Sequence, residues 1–328
     1  MFDLVAGFVH SQCLAALIEL RILSRLLEAP ASLEQVAHQA GLPRERAVIL
    51  LDAGVALGLM SRKGDRYRLS RRGAALVGVP GLSEMILHHR VLYRDLEDPV
   101  AFFRGETDTE LARFWPYVFG AGAAEDPETA ERYSHLMAES QSLVAEETLA
   151  AVDLSGVNHL MDVGGGTGAF LTATLTRYPQ MRATLFDLPA VVPSARDRFA
   201  NAGLSDRVVI RPGSFRDEAL PDEADVISLV RVLYDHSDDT VASLLASAVA
   251  ALPPGGRLIV SEPMTGGERP TKAGNAYFAM YTMAMATGRT RSPQEIISLM
   301  QAAGLKNLRL HKTARPFVTS VVSGVKST

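Results

Sequence analysis

The chain has 328 residues, of which 47% are hydrophobic and 21% are charged. A chain of this length holds two domains with separate cores, and the composition is typical of a soluble globular protein. The formal net charge of −4 provides no overall attraction to nucleic acid or to an anionic membrane. The single cysteine, Cys13, excludes a disulfide framework and fits a reducing cytoplasm. The N-terminus lacks the basic region of a signal peptide, and no uninterrupted apolar run is long enough to span a bilayer.

The N-terminal part has the pattern of a winged helix. Residues 1–28 carry apolar side chains at helical spacing, which is typical of a core or dimer-interface helix. Ser32 and Gly41 then mark the two ends of a short helix. The predicted elements that follow are a helix over Leu33–Ala40, a helix from Pro43 to Leu57, and two hairpin strands, Leu59–Arg62 and Tyr67–Ser70. Helix, turn, helix and hairpin in this order predict a winged-helix domain.

The character of the chain changes near residue 155. Residues 73–158 have a helical pattern, with a long helix predicted from Asp126 to about Ala151. Beyond them, short apolar runs alternate with helical stretches. The predicted strands are His159–Val163, Ala183–Phe186, Val208–Ile210, Asp225–Val230, Arg257–Ser261, Leu308–Leu310 and Phe317–Val322. This alternation predicts an α/β domain whose mostly parallel sheet is covered on both faces.

The ends of the first three predicted strands favour an adenosine-containing cofactor. The first strand runs into a loop with glycines at 164, 165, 166 and 168, where backbone N–H groups can approach a ligand. The loop lacks the last glycine of the dinucleotide fingerprint, which disfavours nicotinamide. Asp187 ends the second strand, where a carboxylate can accept both ribose hydroxyls. Adenine can lie against Phe215 after the third strand. The alternative is that Asp187 only caps the turn at Leu188.

Four ordered blocks resemble those of the small-molecule O-methyltransferases that carry an N-terminal winged-helix dimerisation domain. These blocks are Asp162–Gly168, Phe186–Pro189, Gly213–Phe215 and Arg231–Asp238. The resemblance covers essentially the whole chain and implies a homodimer with interlocking N-terminal helices. It also implies S-adenosyl-L-methionine as cofactor, with S-adenosyl-L-homocysteine as product. The implied cofactor contacts are Asp162, Gly164, Gly166, Asp187, Leu188, Ser214, Phe215 and Arg231.

The resemblance also implies a domain organisation. We expect an α-helical winged-helix dimerisation domain over residues 1–85 and a helical linker that lines the substrate pocket over 86–155. A Rossmann-like, seven-stranded class I methyltransferase domain is expected over 156–328. We expect no metal, because His88 and His89 have no acidic or cysteine companions at ligand spacing.

Three further stretches resemble a narrower group, the O-methyltransferases of hydroxyneurosporene and demethylspheroidene in purple photosynthetic bacteria. They are Phe2–Gln12, Leu92–Tyr117 and Arg231–His236. This resemblance implies that the acceptor is the tertiary hydroxyl of an acyclic carotenoid. It implies a cytoplasmic enzyme that can associate peripherally with the pigment membrane.

The chain departs from the wider family in the catalytic block. The family has His-Asp-Trp where this chain has Tyr234, Asp235 and His236, and Thr290 stands where the family has a second acidic residue. The first acidic residue, Glu262, is retained. Because a tertiary alcohol is far less acidic than a phenol, a base with a pKa of about 6.5 removes its proton poorly. We therefore expect Tyr234 to orient the hydroxyl and Glu262 or His236 to receive the proton.

The acceptor pocket is expected among helices at the carboxyl edge of the sheet. Flexible methionines among aromatic side chains suit a long, irregular apolar acceptor. The candidate residues are Trp115, Phe119, Tyr133, Met137, Met264, Tyr277, Met280, Tyr281 and Met283.

Other interpretations remain open from the sequence. The acceptor could be a phenol, a polyketide or the carbon of a chlorophyll-type pigment. A winged-helix DNA-binding regulator is a different class, supported by a basic cluster between Arg44 and Arg72. Glu45 and Asp52 interrupt the charge of the predicted recognition helix, which disfavours nucleic acid as a partner.

Overall fold

The computed structural model describes residues 1–114 and 141–327. Two compact units are present, Met1–Arg90 and Val91–Thr328. Each unit has its own hydrophobic core and is described by itself.

The first unit combines helices with a small antiparallel sheet. Its helices are α1 (Phe2–Glu19), α2 (Ile22–Glu28), α3 (Leu33–Ala40), α4 (Arg44–Ala56) and α5 (Arg71–Gly78). Its strands are β1 (Ala31–Ser32), β2 (Met60–Lys63) and β3 (Arg66–Leu69), in the order β1-β3-β2. Helix α6 (Leu82–Asp95) begins in this unit and ends in the next. The predicted winged-helix arrangement is confirmed.

Local signals fix the ends of these helices. Ser32 and Gln35 form a capping box at the start of α3, and Gly41 ends it in the left-handed conformation with φ 65°. The helical pattern predicted over residues 1–28 is present as two helices. Arg21 adopts a φ of 56°, which breaks the helix into α1 and α2.

Helix α1 exposes much of its apolar surface. Phe2, Leu4, Val5 and Phe8 are each at least 67% exposed, whereas Leu17 is buried in the core of the unit. By length and composition α1 could cross a membrane, and it is the one such helix among residues 1–114 and 141–327. A helix at a protein–protein interface can have the same length and the same apolar composition. The exposed apolar face of α1 therefore agrees with the interface helix that the sequence pattern predicts.

Helices open the second unit. They are α7 (Pro99–Arg104), α8 (Glu110–Phe114) and α9 (residues 141–151). The part of the predicted long helix that precedes residue 141 lies outside the described residues.

A seven-stranded sheet follows, in the order β6-β5-β4-β7-β8-β10-β9. Its strands are β4 (His159–Val163), β5 (Arg182–Asp187), β6 (Val208–Pro212), β7 (Val226–Val230), β8 (Arg257–Glu262), β9 (Leu305–His311) and β10 (Ser320–Lys326). The pairs among β4 to β8 are parallel, and β10 is antiparallel to both of its neighbours. This is the expected class I methyltransferase sheet. The predicted start of the last strand at Phe317 is wrong, because pairing with β8 begins at Ser320 and Phe317 is 62% exposed.

Helices cover both faces of the sheet. They are α10 (Ala169–Arg177), α11 (Val192–Asn201), α12 (Asp238–Ala251) and α14 (Pro293–Ala302). Helix α13 (Ala279–Met285) instead packs with α7 and α8 in a separate hydrophobic cluster. Along β4, Leu160 packs into one core cluster, while Met161 and Val163 pack into the other. This alternation is what a strand buried on both faces requires.

The strand order and register determine which residues meet at the carboxyl edge. Val163 pairs with Phe186, so Gly164 lies beside Asp187, and Val230 pairs with Ser261, so Arg231 lies beside Glu262. The chain runs outward from β4 in one direction and returns to its other side at β7. A crevice at such a reversal is where open α/β sheets bind ligands.

Two glycines of α5 provide a test of the packing in the first unit. A Cβ at Gly73 would overlap the backbone oxygen of Leu59, whereas a Cβ at Gly78 would meet nothing. We expect Gly73→Ala to lower the free energy of unfolding by about 1–3 kcal/mol. Gly78→Ala should leave it unchanged or raise it by about 0.5–1 kcal/mol, because alanine favours helix. Chemical denaturation of both variants checks this, and equal stabilities would contradict the close packing of α5.

Candidate active site

The glycine loop after β4 has the backbone that its sequence predicts. Gly164, Gly166 and Gly168 adopt φ values of 69°, 60° and 76°, which side chains other than glycine rarely adopt. Gly168 is the N-cap of α10, so the loop leads into a helix N-terminus. A Cβ at Gly166 would meet nothing within 4 Å. The loop therefore leaves open space above Gly166, beside the backbone N–H groups that begin α10.

Asp187 ends β5 directly beside this loop. Its Oδ2 accepts a hydrogen bond from Gly166 N at 2.6 Å, and its Oδ1 accepts one from Leu188 N at 2.7 Å. Removal of this carboxylate from water raises the pKa of Asp187 to about 6, against the lowering effect of the two N–H donors. The hydrogen bond from Leu188 shows that Asp187 caps the turn, which the sequence analysis gave as the alternative to ribose binding. The carboxylate therefore caps the turn and holds the glycine loop, and each oxygen retains a lone pair for a further donor.

Asp162 lies buried beneath the same loop. Ser228 Oγ donates to its Oδ1 at 2.6 Å, while Oδ2 is buried with no hydrogen-bond partner among the described residues. Burial raises the pKa of Asp162 to about 7. A Cβ at Gly165 would lie 2.6 Å from Asp162 Oδ2, so only glycine fits there. An unsatisfied acidic oxygen under an open glycine loop suits a ligand that carries donors or positive charge.

His236 lies against Phe215 after β6. The two rings make an edge-to-face contact with 5.3 Å between centroids, and Arg216 Nη2 lies 3.1 Å from His236 Nδ1. Because arginine only donates, Nδ1 is the acceptor and Nε2 carries the proton. Burial, with repulsion from Arg216 and Arg291, lowers the pKa of His236 to about 4. The imidazole is thus neutral and faces the side of the crevice where Ser214 and Phe215 follow β6.

A second cluster lies where β7 and β8 end. Arg231 adopts a φ of 57°, and its Nη2 donates to the Tyr234 hydroxyl at 3.1 Å. Glu262 Oε1 accepts hydrogen bonds from Val232 N at 2.9 Å and Leu233 N at 2.7 Å. Its Oε2 is buried and has no hydrogen-bond partner in the described part of the chain. Of the sequence-predicted catalytic residues, the structure therefore brings Tyr234 and Glu262 to one cluster, while His236 faces Phe215.

The acids in this second cluster hold their protons at unusually high pH. Burial raises the pKa of Glu262 to about 7, and burial and the Glu262 charge raise that of Asp235 well above its usual range. Burial also raises the pKa of Tyr234, so its hydroxyl stays protonated near neutral pH. The Arg231 guanidinium lowers all three values. The cluster therefore offers a fixed hydroxyl beside two carboxyl groups of raised pKa, of which Glu262 exchanges its proton near neutrality.

Two further tyrosines line the same region. Tyr277 lies in a π-helix over Lys272–Phe278, and its ring centroid is 6.2 Å from that of the buried Tyr281. Burial raises the pKa of Tyr277 to about 12, and Arg231 acts on both tyrosines in the opposite direction. Among the predicted pocket methionines, Met264 is buried, Met280 is half-buried and Met283 is 48% exposed. The predicted pocket residues Trp115, Phe119, Tyr133 and Met137 lie outside the described residues.

The sequence reasoning missed the residues that hold the turn around Tyr234. Arg291, only 2% exposed, donates to Leu233 O at 2.8 Å and to His236 O at 3.0 Å. A Cβ at Gly288 would overlap the backbone from Tyr234 to His236. The one available signal was that Arg291 directly follows Thr290, the position of the family's second acidic residue.

Comparison with known proteins identifies the family. Residues 93–306 match the family model described as O-methyltransferase domain, and residues 2–78 match the O-methyltransferase dimerisation domain. The chain belongs to the O-methyltransferase family. It is an S-adenosylmethionine-dependent enzyme, and its dimerisation domain indicates a homodimer. The resemblance inferred from the sequence blocks is thereby confirmed.

Individual relatives are similar over nearly the whole of this chain and over most of their own lengths. The demethylspheroidene O-methyltransferase of Cereibacter sphaeroides is 55% identical over 99% of this chain and 86% of its own. That of Rhodobacter capsulatus is 53% identical over 98% of this chain and 80% of its own. The crystal structure of human N-acetylserotonin methyltransferase in complex with S-adenosylmethionine superposes with a TM-score of 0.84, at 26% identity. The superposition covers 99% of this chain and 96% of the human chain.

Asp187 provides a test of the cofactor site of this O-methyltransferase. Asp187→Asn should weaken S-adenosylhomocysteine binding at least about tenfold, because a charge-assisted hydrogen bond contributes about 1.5–3 kcal/mol. Hydroxyl donors such as those of a ribose bind an ionised carboxylate more strongly than a protonated one. With a pKa of about 6, the affinity of the unmodified enzyme should be full above pH 6 and fall below it. Calorimetry from about pH 5 to about pH 8, a range that extends to both sides of the Asp187 pKa, measures both effects.

The exposed carboxylate Asp197 on α11 supplies the matched control. Asp197→Asn should bind like the unmodified enzyme at each pH. Equal affinities for Asp187→Asn and Asp197→Asn would remove Asp187 from the cofactor site.

Arg291 and its neighbour Arg289 form a natural pair for testing the turn. Both bond to Asp238, but Arg289 is about half exposed and does not reach the turn in the described structure. Arg291→Lys removes the planar fork that reaches Leu233 O and His236 O. We expect kcat to fall about tenfold or more with cofactor affinity unchanged, because misplacement of the turn affects the reacting groups. Arg289→Lys should change neither. Equal losses of kcat and cofactor affinity in Arg291→Lys would contradict an effect confined to the reacting groups.

Proposed function

We propose that the enzyme methylates the tertiary hydroxyl of an acyclic carotenoid of the hydroxyneurosporene or demethylspheroidene type. The observation that carries this proposal is the replacement of the family's histidine base by Tyr234, a buried tyrosine whose pKa is raised. The two relatives named demethylspheroidene O-methyltransferase support the same acceptor.

The electrostatics of the site suit a weakly acidic acceptor. A phenol ionises at about pH 10, as an unperturbed tyrosine does, so an imidazole base helps to remove its proton. A tertiary alcohol holds its proton far more tightly and gains little from such a base. Tyr234 remains protonated, and the neutral His236 is directed at Arg216. The arrangement thus favours an acceptor that loses its proton late, as the new bond to oxygen forms.

The reaction assigns different tasks to the residues of the second cluster. S-adenosylmethionine, when bound, supplies an electrophilic methyl group on its sulfonium. Tyr234, held by Arg231, orients the acceptor oxygen for in-line attack. As the bond from the acceptor oxygen to the methyl carbon forms, the methyl–sulfur bond breaks and leaves S-adenosylhomocysteine, and the hydroxyl proton passes to a carboxylate. Glu262 is the first candidate for that proton, because Oε1 is committed to Val232 and Leu233 while Oε2 has no hydrogen-bond partner within the described structure.

The cofactor contacts are assigned to the other side of the crevice. Asp187 is proposed to accept from the ribose hydroxyls, and Asp162 to face the charged end of the cofactor. Gly164, Gly166 and Leu188 contribute backbone groups, and Ser214 and Phe215 border the adenine. His236, in edge contact with Phe215, belongs with this group in our proposal.

The acceptor has consequences for location. An acyclic carotenoid is a lipid, so its concentration is highest within a bilayer. We propose that the enzyme works from the cytoplasm and associates peripherally with the pigment membrane.

Three variants test the division of tasks in a single-turnover assay with hydroxyneurosporene. Tyr234→Phe should slow methyl transfer about 10- to 100-fold, which corresponds to about 1.4–2.7 kcal/mol of transition-state contact. Glu262→Gln should slow it at least as much and should abolish the pH dependence. In the unmodified enzyme the rate should rise with pH through about 7, because only ionised Glu262 accepts a proton. His236→Ala should be the mildest of the three.

A parallel panel of phenols and chlorophyllides tests the acceptor. Transfer to phenols at rates above those for hydroxyneurosporene would contradict the carotenoid proposal. If His236→Ala alone abolishes transfer, the imidazole is the base and the task assigned to Glu262 is wrong.

A further inference from the structure

The first unit carries a concentrated positive charge in a chain that is acidic overall. Between positions 62 and 72 there are six cationic side chains and one carboxylate, Asp65, whereas the whole chain has a net charge of −4. All six cations are exposed. We name this surface the basic wing, and its residues are Arg62, Lys63, Arg66, Arg68, Arg71 and Arg72.

The register of the hairpin places like charges against one another. Lys63 pairs directly with Arg66, and Ser61 pairs with Arg68. Since directly paired residues and residues two apart share one face of a strand pair, Lys63, Arg66 and Arg68 lie on one face. Tyr67, between the two arginines, points the opposite way and is fully buried. Like charges directly opposite each other destabilise a hairpin, so folding alone does not favour this arrangement.

The start of α5 carries a second local cost. Ser70 is the N-cap, and the next two residues are Arg71 and Arg72, with no acidic residue in the first turn. The N-terminus of a helix carries a partial positive charge, which disfavours cations there. The paired cations of the hairpin and the cations at the start of α5 both oppose local structural preferences. Such unfavourable placements on adjacent elements are typical of a functional surface.

Carboxylates do not compensate the basic wing within the described residues. Its arginine hydrogen bonds go to backbone oxygens: Arg62 to Gly64, Arg66 to Pro30 and Arg72 to Leu57. Elsewhere in the same unit, Arg44 does have an acidic partner, Glu34, at 3.4 Å. The positive potential of the wing is therefore available to an external anionic surface.

We propose that the basic wing docks the enzyme on an anionic lipid bilayer. This inference rests on the proposed function, because a carotenoid acceptor resides in a membrane. Several clustered cations add their attractions to a surface of negative headgroups, and no matching pocket is needed. DNA is disfavoured as the partner by the exposed face of α4, the helix in the recognition position. That face presents Glu45, Asp52 and a 71% exposed Ile49.

Vesicle flotation with the full-length dimer tests the proposal without any substrate. Vesicles of phosphatidylcholine with about 30% phosphatidylglycerol should bind the enzyme at least about tenfold more tightly than phosphatidylcholine alone. Salt at about 0.5 M should abolish the difference by screening. The variant Lys63→Glu/Arg66→Glu/Arg68→Glu should lose the preference for anionic vesicles.

The control reverses three exposed cations of the second unit and changes the net charge equally. Arg196→Glu/Lys306→Glu/Lys312→Glu should retain vesicle binding. Both variants should methylate detergent-dispersed acceptor at the unmodified rate, and the wing variant alone should be slow on acceptor embedded in anionic vesicles. If charge reversal impairs folding, the neutral variant Arg66→Gln/Arg68→Gln should still weaken vesicle binding.

Several outcomes would overturn the proposal. They are equal loss of vesicle binding in both triple variants, wing-dependent binding to duplex DNA without vesicle binding, and dissociation of the dimer in the wing variant. Absence of methyl transfer to any carotenoid, with wing-dependent vesicle binding intact, would refute the proposed function and leave the docking surface standing.

Discussion

The two hydrogen bonds from Val232 and Leu233 to Glu262 are the constraint on which the candidate active site depends. They attach the turn after β7 to the end of the neighbouring strand β8. From the other side, Arg291 binds the carbonyl oxygens of Leu233 and His236. The turn is thus held by its N–H groups at one end and by its carbonyl groups at both ends. A side chain between these anchors, such as Tyr234, has little freedom to change its position, which is what orientation of an acceptor requires.

The same hydrogen bonds explain how Glu262, which the chain shares with its family, can function beside Tyr234, which replaces the family's histidine. In a family that uses a histidine base, an adjacent carboxylate orients the imidazole. Here one oxygen of Glu262 is used for the backbone, and the other is buried with no hydrogen-bond partner among the described residues. Its raised pKa makes the carboxylate a better proton acceptor than an ordinary glutamate. In the mechanism that we propose, the site can therefore still accept a proton without the histidine, provided that the acceptor hydroxyl releases it late.

Much of the fold could be predicted because its signals are local. Alternating apolar runs located β4 and β7, and Ser32 and Gly41 marked the ends of α3. The residues that follow parallel strands, such as Asp187, meet because strand ends share one edge. The Arg291 contacts could not be predicted, since they join residues 55 and 58 positions apart. Nor could the direction of His236, because backbone geometry decides which side of the crevice a side chain faces. The break at Arg21 between α1 and α2 could not be predicted either, because the apolar periodicity runs through it without interruption.

Buried acids at the carboxyl edge make the stability of the fold depend on pH in an unusual direction. Aspartates in unfolded chains titrate at about 3.9, whereas Asp187 and Asp162 titrate at about 6 and about 7 in the folded protein. The folded state therefore binds protons that the unfolded state has released, and these groups reduce stability progressively as the pH rises from about 4 to 7. A ligand that donates hydrogen bonds or positive charge to both carboxylates removes this cost. Because we propose that the cofactor contacts both carboxylates, its binding should stabilise the fold more at about pH 8, where both are ionised, than at about pH 5, where both are protonated. The free energy that burial of the two carboxylates costs the fold would then appear as affinity for the cofactor.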